Sequence, residues 1–309
     1  MNKALPFGLV IVFLCCSAHS VDFSRHSYSH NPASYFSASG FQRFARLKNS
    51  DGDVSTRYNP TAGSVGYIYS PGMWYAGAAF SWEHGNRRYS DSAGNGTMEV
   101  RSDMPGVSVF GGMKTLEGWY VDASAFLGYG SFKAHNIKTP GGMNFSGSRT
   151  HEMAYAMGLE GGKSFDMGNE FLITPHVGVD VSHTPSEQYN YANGGYYGVK
   201  RQTYFEIPLG VSFSKSFNFG CWLLTPKVDL TLVNSIGHMD AMNAQPGFAY
   251  RAADSWKVAG IGGDHVGGRV SAGFDAKLGE RTSVGLDYTY EGRKNYNDHR
   301  ISAILGWSF

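Results

Sequence analysis

Carboxylates and histidines are the groups with which this sequence can activate a water or hold a metal. Asp51-Gly52-Asp53, Asp264-His265 and Asp298-His299 bring such groups close enough for the general acid–base work of a hydrolase. The same pairs are ordinary turn chemistry, because Asp and Gly favour tight bends between strands, and that reading is preferred. His183, His238, His265 and His299 follow no metal-site spacing. There is no G-x-S-x-G elbow for a serine nucleophile, and Gly111-Gly112 and Gly194-Gly195 open no phosphate loop. The three cysteines fall at positions 15, 16 and 221. Cys221 stands alone once a leader is removed, with no disulfide partner and no catalytic neighbour. No enzyme activity, cofactor or metal is expected.

A second set of polar residues is organised by period. Asp122, Glu160, Asp180, Glu206, Lys227, Asp229, Arg269, Asp275, Lys277, Asp287, Glu291 and Arg300 fall on the polar side of alternating segments. Eight acids and four bases on one face suit a lumen, either ion-paired and filled or open as a cation-favouring channel. The same set also suits the solvent face of a soluble β-sandwich.

The elements that would carry these residues are strands. Apolar Trp222, Leu224, Pro226, Val228, Leu230 and Leu232 interleave with Thr225, Lys227, Asp229 and Thr231, the two-residue period of a ribbon with unlike faces. The pattern recurs from Trp74 to Trp82, Trp119 to Leu127, Met153 to Leu159, Ile173 to Val181, Phe205 to Phe213, Val270 to Leu278, Val284 to Tyr290 and Ile301 to Phe309. Weaker strands lie over 35–47, 62–69 and 105–113. This gives about twelve strands of about ten residues each, an even number and the length that crosses a bilayer when tilted. Aromatic residues gather at the segment ends, as interface girdles do.

Connections alternate in length. Short ones fall at 70–73, 114–118, 164–170, 215–220 and 279–281, and long ones at 83–102, 133–149, 183–200 and 235–263. Short turns on the periplasmic side, long loops outside and both chain ends periplasmic are the expected arrangement. The expected fold class is all-β, a transmembrane antiparallel barrel, since only a closed sheet leaves no unpaired edge in lipid.

Composition agrees with this picture. The 309 residues carry a net charge of +1, only 17% charged residues, 15% aromatics and 41 glycines, which gives no sign of a nucleic-acid surface. Lys3, the apolar run from Leu5 to Cys16 and Ala18-His19-Ser20 read as a signal peptide cut after Ser20. The expected organisation is a signal over 1–20, a short segment over 21–34 and the barrel over 35–309.

The C-terminal stretch GFDAKLGERTSVGLDYTYEGRKNYNDHRISAILGWSF resembles the end of an autotransporter β-domain, the translocator of type V secretion. Its turn at Gly279-Glu280-Arg281, aromatic strand 286–290, basic loop 292–297 and final Phe carry the likeness, and the segment from Trp222 to Leu230 is similar to a strand of that family. The resemblance implies an outer-membrane barrel in contact with lipid, escorted by periplasmic chaperones. It also implies insertion by the barrel-assembly machinery, which reads the last strand as a sorting signal; that role falls on Ile301, Ala303, Leu305, Trp307 and Phe309. No Asn-Asn self-cleavage pair is present, and only residues 21–34 stand where members carry a passenger. A translocator or anchor of a very short or missing passenger is therefore expected. A stand-alone porin-like pore and a surface adhesion barrel are the alternatives.

Overall fold

The computed structural model describes residues 33–47, 54–91, 97–138, 144–145, 149–184, 187–190, 196–199, 202–237, 242–245, 256–258, 266–294 and 296–309. Twelve staves form the main wall. They are β1 (Ala33–Leu47), β2 (Val54–Tyr58 and Thr61–Ser70), β3 (Trp74–Asp91), β4 (Thr97–Lys114), β5 (Trp119–Lys138) and β6 (Arg149–Lys163), followed by β7 (Phe171–Thr184), β8 (Gln202–Lys215), β9 (Trp222–Gly237), β10 (Val266–Leu278), β11 (Thr282–Arg293) and β12 (Tyr296–Ser308). The stave β2 is broken at Asn59-Pro60, where proline has no N–H for the ladder, yet both halves pair with β1 and β3.

Every stave is antiparallel to its sequence neighbours, and β1 pairs with β12 from Tyr35 opposite Ser308 to Leu47 opposite Tyr296. The sheet is thus a closed twelve-strand barrel with no free edge. The hydrogen bond from the Phe309 amide to the Ser34 carbonyl, 3.2 Å, fastens the end of the chain to the first strand. The first stave starts at Ala33, two residues before the expected boundary.

The two ends of the barrel differ. One carries five short turns, at 71–73, 115–118, 164–170, 216–221 and 279–281, and each holds a glycine at positive φ: Gly72, Gly118, Gly168, Gly220 and Gly279. Glycine supplies that backbone geometry without a Cβ clash. The other end carries the three longest connections, over 139–148, 185–201 and 238–265, together with short ones at 48–53, 92–96 and 294–295. Two of these contribute Glu187–Asn190, Tyr196–Val199, Met242–Gln245 and Trp256–Val258, which form a separate four-stranded antiparallel sheet.

Strand length departs from expectation. The continuous staves run 12 to 20 residues instead of about ten. The long loop expected over 83–102 is mostly strand, since β3 continues to Asp91 and β4 begins at Thr97, and β5 likewise runs on to Lys138. Past the lipid-facing stretch the outer face turns polar, with His84, Arg88, Arg101 and Lys133, and on β3 the inner face carries Glu83 and Arg87, so the apolar-outside period fades there while backbone pairing continues.

Side chains follow the pleat. Val107, Leu127, Leu159, Val177, Leu209 and Leu305 stand on the outer face, each about half exposed. Exposed apolar area on this scale has no place on a water-soluble monomer. On β5 it is bracketed by Trp119 and Tyr129, ten residues apart, or about 33 Å along the strand. At a tilt of about 40° this gives a band of about 25 Å. Around the short-turn end the aromatic girdle includes Phe36 against Phe309 at 5.4 Å, Phe36 against Tyr67 at 5.6 Å and Tyr69 against Trp74 at 5.7 Å.

Candidate functional site

The inner face of the barrel holds the buried polar groups and is built in two unlike halves. On β1–β5 it is largely apolar: Phe41, Ile68, Ala79, Met104, Phe110, Phe126 and Phe132 all point inward and are buried. Their rings lie flat on the wall because glycines leave room. A Cβ on Gly77 would meet the Phe110 ring at 2.6 Å, and one on Gly128 would meet Phe126 at 2.8 Å. A Cβ on Gly106, directly opposite Gly128, would also strike Phe126.

On β6–β12 the inner face is charged, and its groups answer one another across strands. Glu206 on β8 reaches Arg293 on β11, while Glu291 bonds both Arg269 (2.9 Å) and Arg293 (2.8 Å). Ser235 on β9 donates to Glu206 at 3.1 Å. Two glutamates and two arginines therefore close a neutral network over four staves. Nearer the short-turn end, Lys227 sits 2.7 Å from Asp287 and 3.5 Å from Asp275. His176 approaches Asp229 at 2.8 Å and Glu160 at 3.7 Å, Tyr120 donates to Glu160 at 2.7 Å, and Ser212 donates to Asp229 at 2.6 Å. His176 crosses β8 to reach β9 because Gly210 has no side chain there; a Cβ on Gly210 would lie 2.6 Å from the imidazole.

A third cluster spans the seam. Arg43 on β1, 2% exposed, grips Asp298 on β12 through two contacts, Nε to Oδ1 at 2.8 Å and Nη2 to Oδ2 at 2.7 Å, and also donates to the Tyr296 hydroxyl. Beside it Tyr58 donates to Glu83, and the Arg87 guanidinium lies over the rings of Tyr58 (4.7 Å) and Phe132 (5.5 Å). These are charge-assisted bonds in a confined space, where geometry is held tightly.

The twelve charged residues assigned from sequence to the polar face have these positions. Asp122 accepts from Tyr75 at 2.7 Å. Glu160, Glu206, Lys227, Asp229, Arg269, Asp275, Asp287 and Glu291 take part in the contacts just described. Asp180 lies on the same face of β7 as His176, and Arg300 donates to Thr289 at 3.3 Å. Lys277, close to the Gly279 turn, is exposed.

Several groups of this interior are missing from that set: Arg43, Glu83, Arg87, His176 and Arg293. His176 and Arg293 fall on the polar alternation and were readable from it. Glu83 and Arg87 were hidden because their segment reads as a loop.

Asp298 and His299, weighed above as acid–base partners, are separated by the pleat. Asp298 points inward to Arg43, whereas His299 points outward, its Nδ1 2.8 Å from the Tyr288 hydroxyl. Asp51, Asp53, His238, Asp264, His265, Gly194 and Gly195 lie outside the described residues, as does the cleavage position at Ser20. Among the described residues no group of three or more His, Cys, Asp or Glu is placed to hold a metal ion. Ile301, Ala303, Leu305, Trp307 and Phe309 form the outward row of β12 and its end, all exposed.

A closed twelve-strand wall, apolar outside and polar within, meets a direct match: the autotransporter β-domain family model aligns with residues 36–289. The chain belongs to the autotransporter β-domain family. It is 24% identical to the BrkA autotransporter of Bordetella pertussis over 249 residues, 79% of this chain and 22% of that protein. The chain thus spans about a fifth of that relative's length. The crystal structure of the Bordetella BrkA β-domain superposes with a TM-score of 0.70 at 21% identity, covering 90% of this chain and all of that one. The transport unit of AIDA-I from Escherichia coli gives 0.68 at 14% identity, covering 97% of each chain. The translocator domain of NalP from Neisseria meningitidis gives 0.63 at 13% identity, covering 95% of this chain and 99% of that one. Autotransporter β-domains are outer-membrane barrels, and the half-exposed apolar face of this one is suited to lipid.

Proposed function

We propose that this β-domain is the translocator and outer-membrane anchor of an autotransporter, serving whatever segment is joined to the N-terminal side of β1. The observation that carries the reading is the closed wall itself: a lipid-compatible outside around a polar inside, in a chain of this family. In this reading residues 1–20 are a signal removed after Ser20, periplasmic chaperones accompany the chain, and the barrel-assembly machinery recognises the outward row of β12. The short-turn end, where the start of β1 meets the end of β12, faces the periplasm, and the long connections face outside.

The barrel has no enzymatic activity in this proposal. The Asp298-His299 pair is split between the two faces, and Asp298 is already engaged by arginine. The porin-like alternative is not favoured. The interior charges on β8–β12 neutralise each other in short contacts instead of standing as separate rings, and rings flattened on glycines line the other half.

The test is an epitope placed between residues 20 and 33. In cells whose barrel shows heat-shifted migration, the epitope is expected to be cut by protease added outside. An epitope that stays protected while the barrel is folded in the outer membrane would refute transport and leave the barrel assignment intact.

A further inference from the structure

Six basic side chains project from the outer face toward the end with the long connections: Arg46 on β1, Arg57 on β2, Arg88 on β3, Arg101 on β4, Lys133 on β5 and Arg149 on β6, all exposed. They are neighbours across the sheet. Arg46 stands opposite Arg57 and Arg57 opposite Arg88; Arg101 stands opposite Lys133 and Lys133 opposite Arg149. Arg88 faces Glu99, which puts Arg101 on the diagonal from it.

Like charges set directly across a strand pair repel. None of the six makes an ion pair among the described residues. The carboxylates closest in register have other partners: Asp103 is 2.7 Å from His84, and Glu99 is 3.5 Å from His135. An arc of this kind, built by six separate strands, is arranged for an external anion.

Its height and side identify the anion. The lipid-facing band on the same staves ends at Phe44, Trp82, Tyr129 and Met153. Lys133 lies four residues beyond Tyr129, about 13 Å along the strand, or about 10 Å above the ring at the usual tilt. That is the headgroup layer. The outward positions at the same end of β9–β12 include Ile236, Val266, Tyr290 and His299 but no arginine or lysine.

We propose that the arc on β1–β6 binds the phosphate groups of a phosphorylated glycolipid in the outer leaflet, whose acyl chains lie on the apolar band below. Contact with tails and headgroup together is what distinguishes such a lipid from a soluble anion. The placement rests on the proposed orientation, with the long connections outside.

The test uses the full chain folded in detergent. The probes are diphosphorylated lipid A, its dephosphorylated form and inorganic pyrophosphate. Parent protein is expected to bind the diphosphorylated lipid. The R101Q/K133Q/R149Q variant is expected to bind it about a hundredfold more weakly at low salt, roughly fivefold per charge removed. K294Q, in the β11–β12 turn, is expected to behave as the parent. Should the triple variant fail to give heat-shifted migration, K133Q alone must show a loss of about fivefold.

Equal binding by the folded variant overturns the proposal, as does equal affinity for the dephosphorylated lipid. Displacement of lipid by equimolar pyrophosphate also overturns it, in favour of a soluble anion. Binding in detergent does not depend on orientation in the cell, so an inverted barrel and a failed lipid site give separable results.

Discussion

Removing Asp298 tests whether the seam between the first and last strands is held by a buried ion pair. Arg43 is 2% exposed and meets Asp298 through two contacts of 2.8 and 2.7 Å. In the Asp298→Ala variant the guanidinium loses its bidentate carboxylate but remains inside the wall. Breaking one partner of a buried pair costs about 3–5 kcal/mol, whereas replacing both by apolar residues of similar size is often neutral. Asp298→Ala is therefore expected to lose about 3–5 kcal/mol, and Arg43→Met/Asp298→Leu is expected to recover at least about half of that loss. Urea titration of detergent-folded protein, followed by tryptophan fluorescence and by heat-shifted migration, measures both. The reasoning fails if Asp298→Ala lies within about 1 kcal/mol of the parent. It fails equally if the double variant is no more stable than the single one, because the loss would then owe nothing to a stranded charge.

The flattened rings give a steric expectation: Gly106→Val should destabilise by about 1–3 kcal/mol through overpacking against Phe126, and Phe126→Ala in the same chain should relieve most of it in the same titration. Cys221 is exposed in a short turn, so a membrane-impermeant maleimide should label it only after the outer membrane is permeabilised; labelling of intact cells would invert the proposed orientation. Deleting Phe309, which packs on Phe36 at 5.4 Å, should lower the amount of heat-shifted barrel in outer-membrane fractions. An unchanged amount would remove the terminal residue from the sorting signal.

Much of this barrel was legible from alternation alone. The outward rows Trp222 to Leu232 and Ile301 to Phe309 are apolar at every second residue, and lipid on one side of a ribbon enforces that rule locally. The short turns were equally readable, because Gly72, Gly118 and Gly279 mark positions where the backbone must take a positive φ. The family resemblance drawn from the C-terminal strands survived comparison over most of the chain. Beyond the bilayer the rule lapses: Glu83 and Arg87 lie in a strand that reads as a loop, since neither face there must be apolar.

What the sequence determined, then, was which face of its alternating strands is apolar, because a two-residue period is a property of the strand itself. Only the closed structure decided which charges meet. Arg43 and Asp298 lie 255 positions apart, and His176 reaches Asp229 over a glycine on the strand between them. The arc from Arg46 to Arg149 exists only because six registers align. Partners of that kind are set by shear and closure of the whole sheet, which no local spacing records.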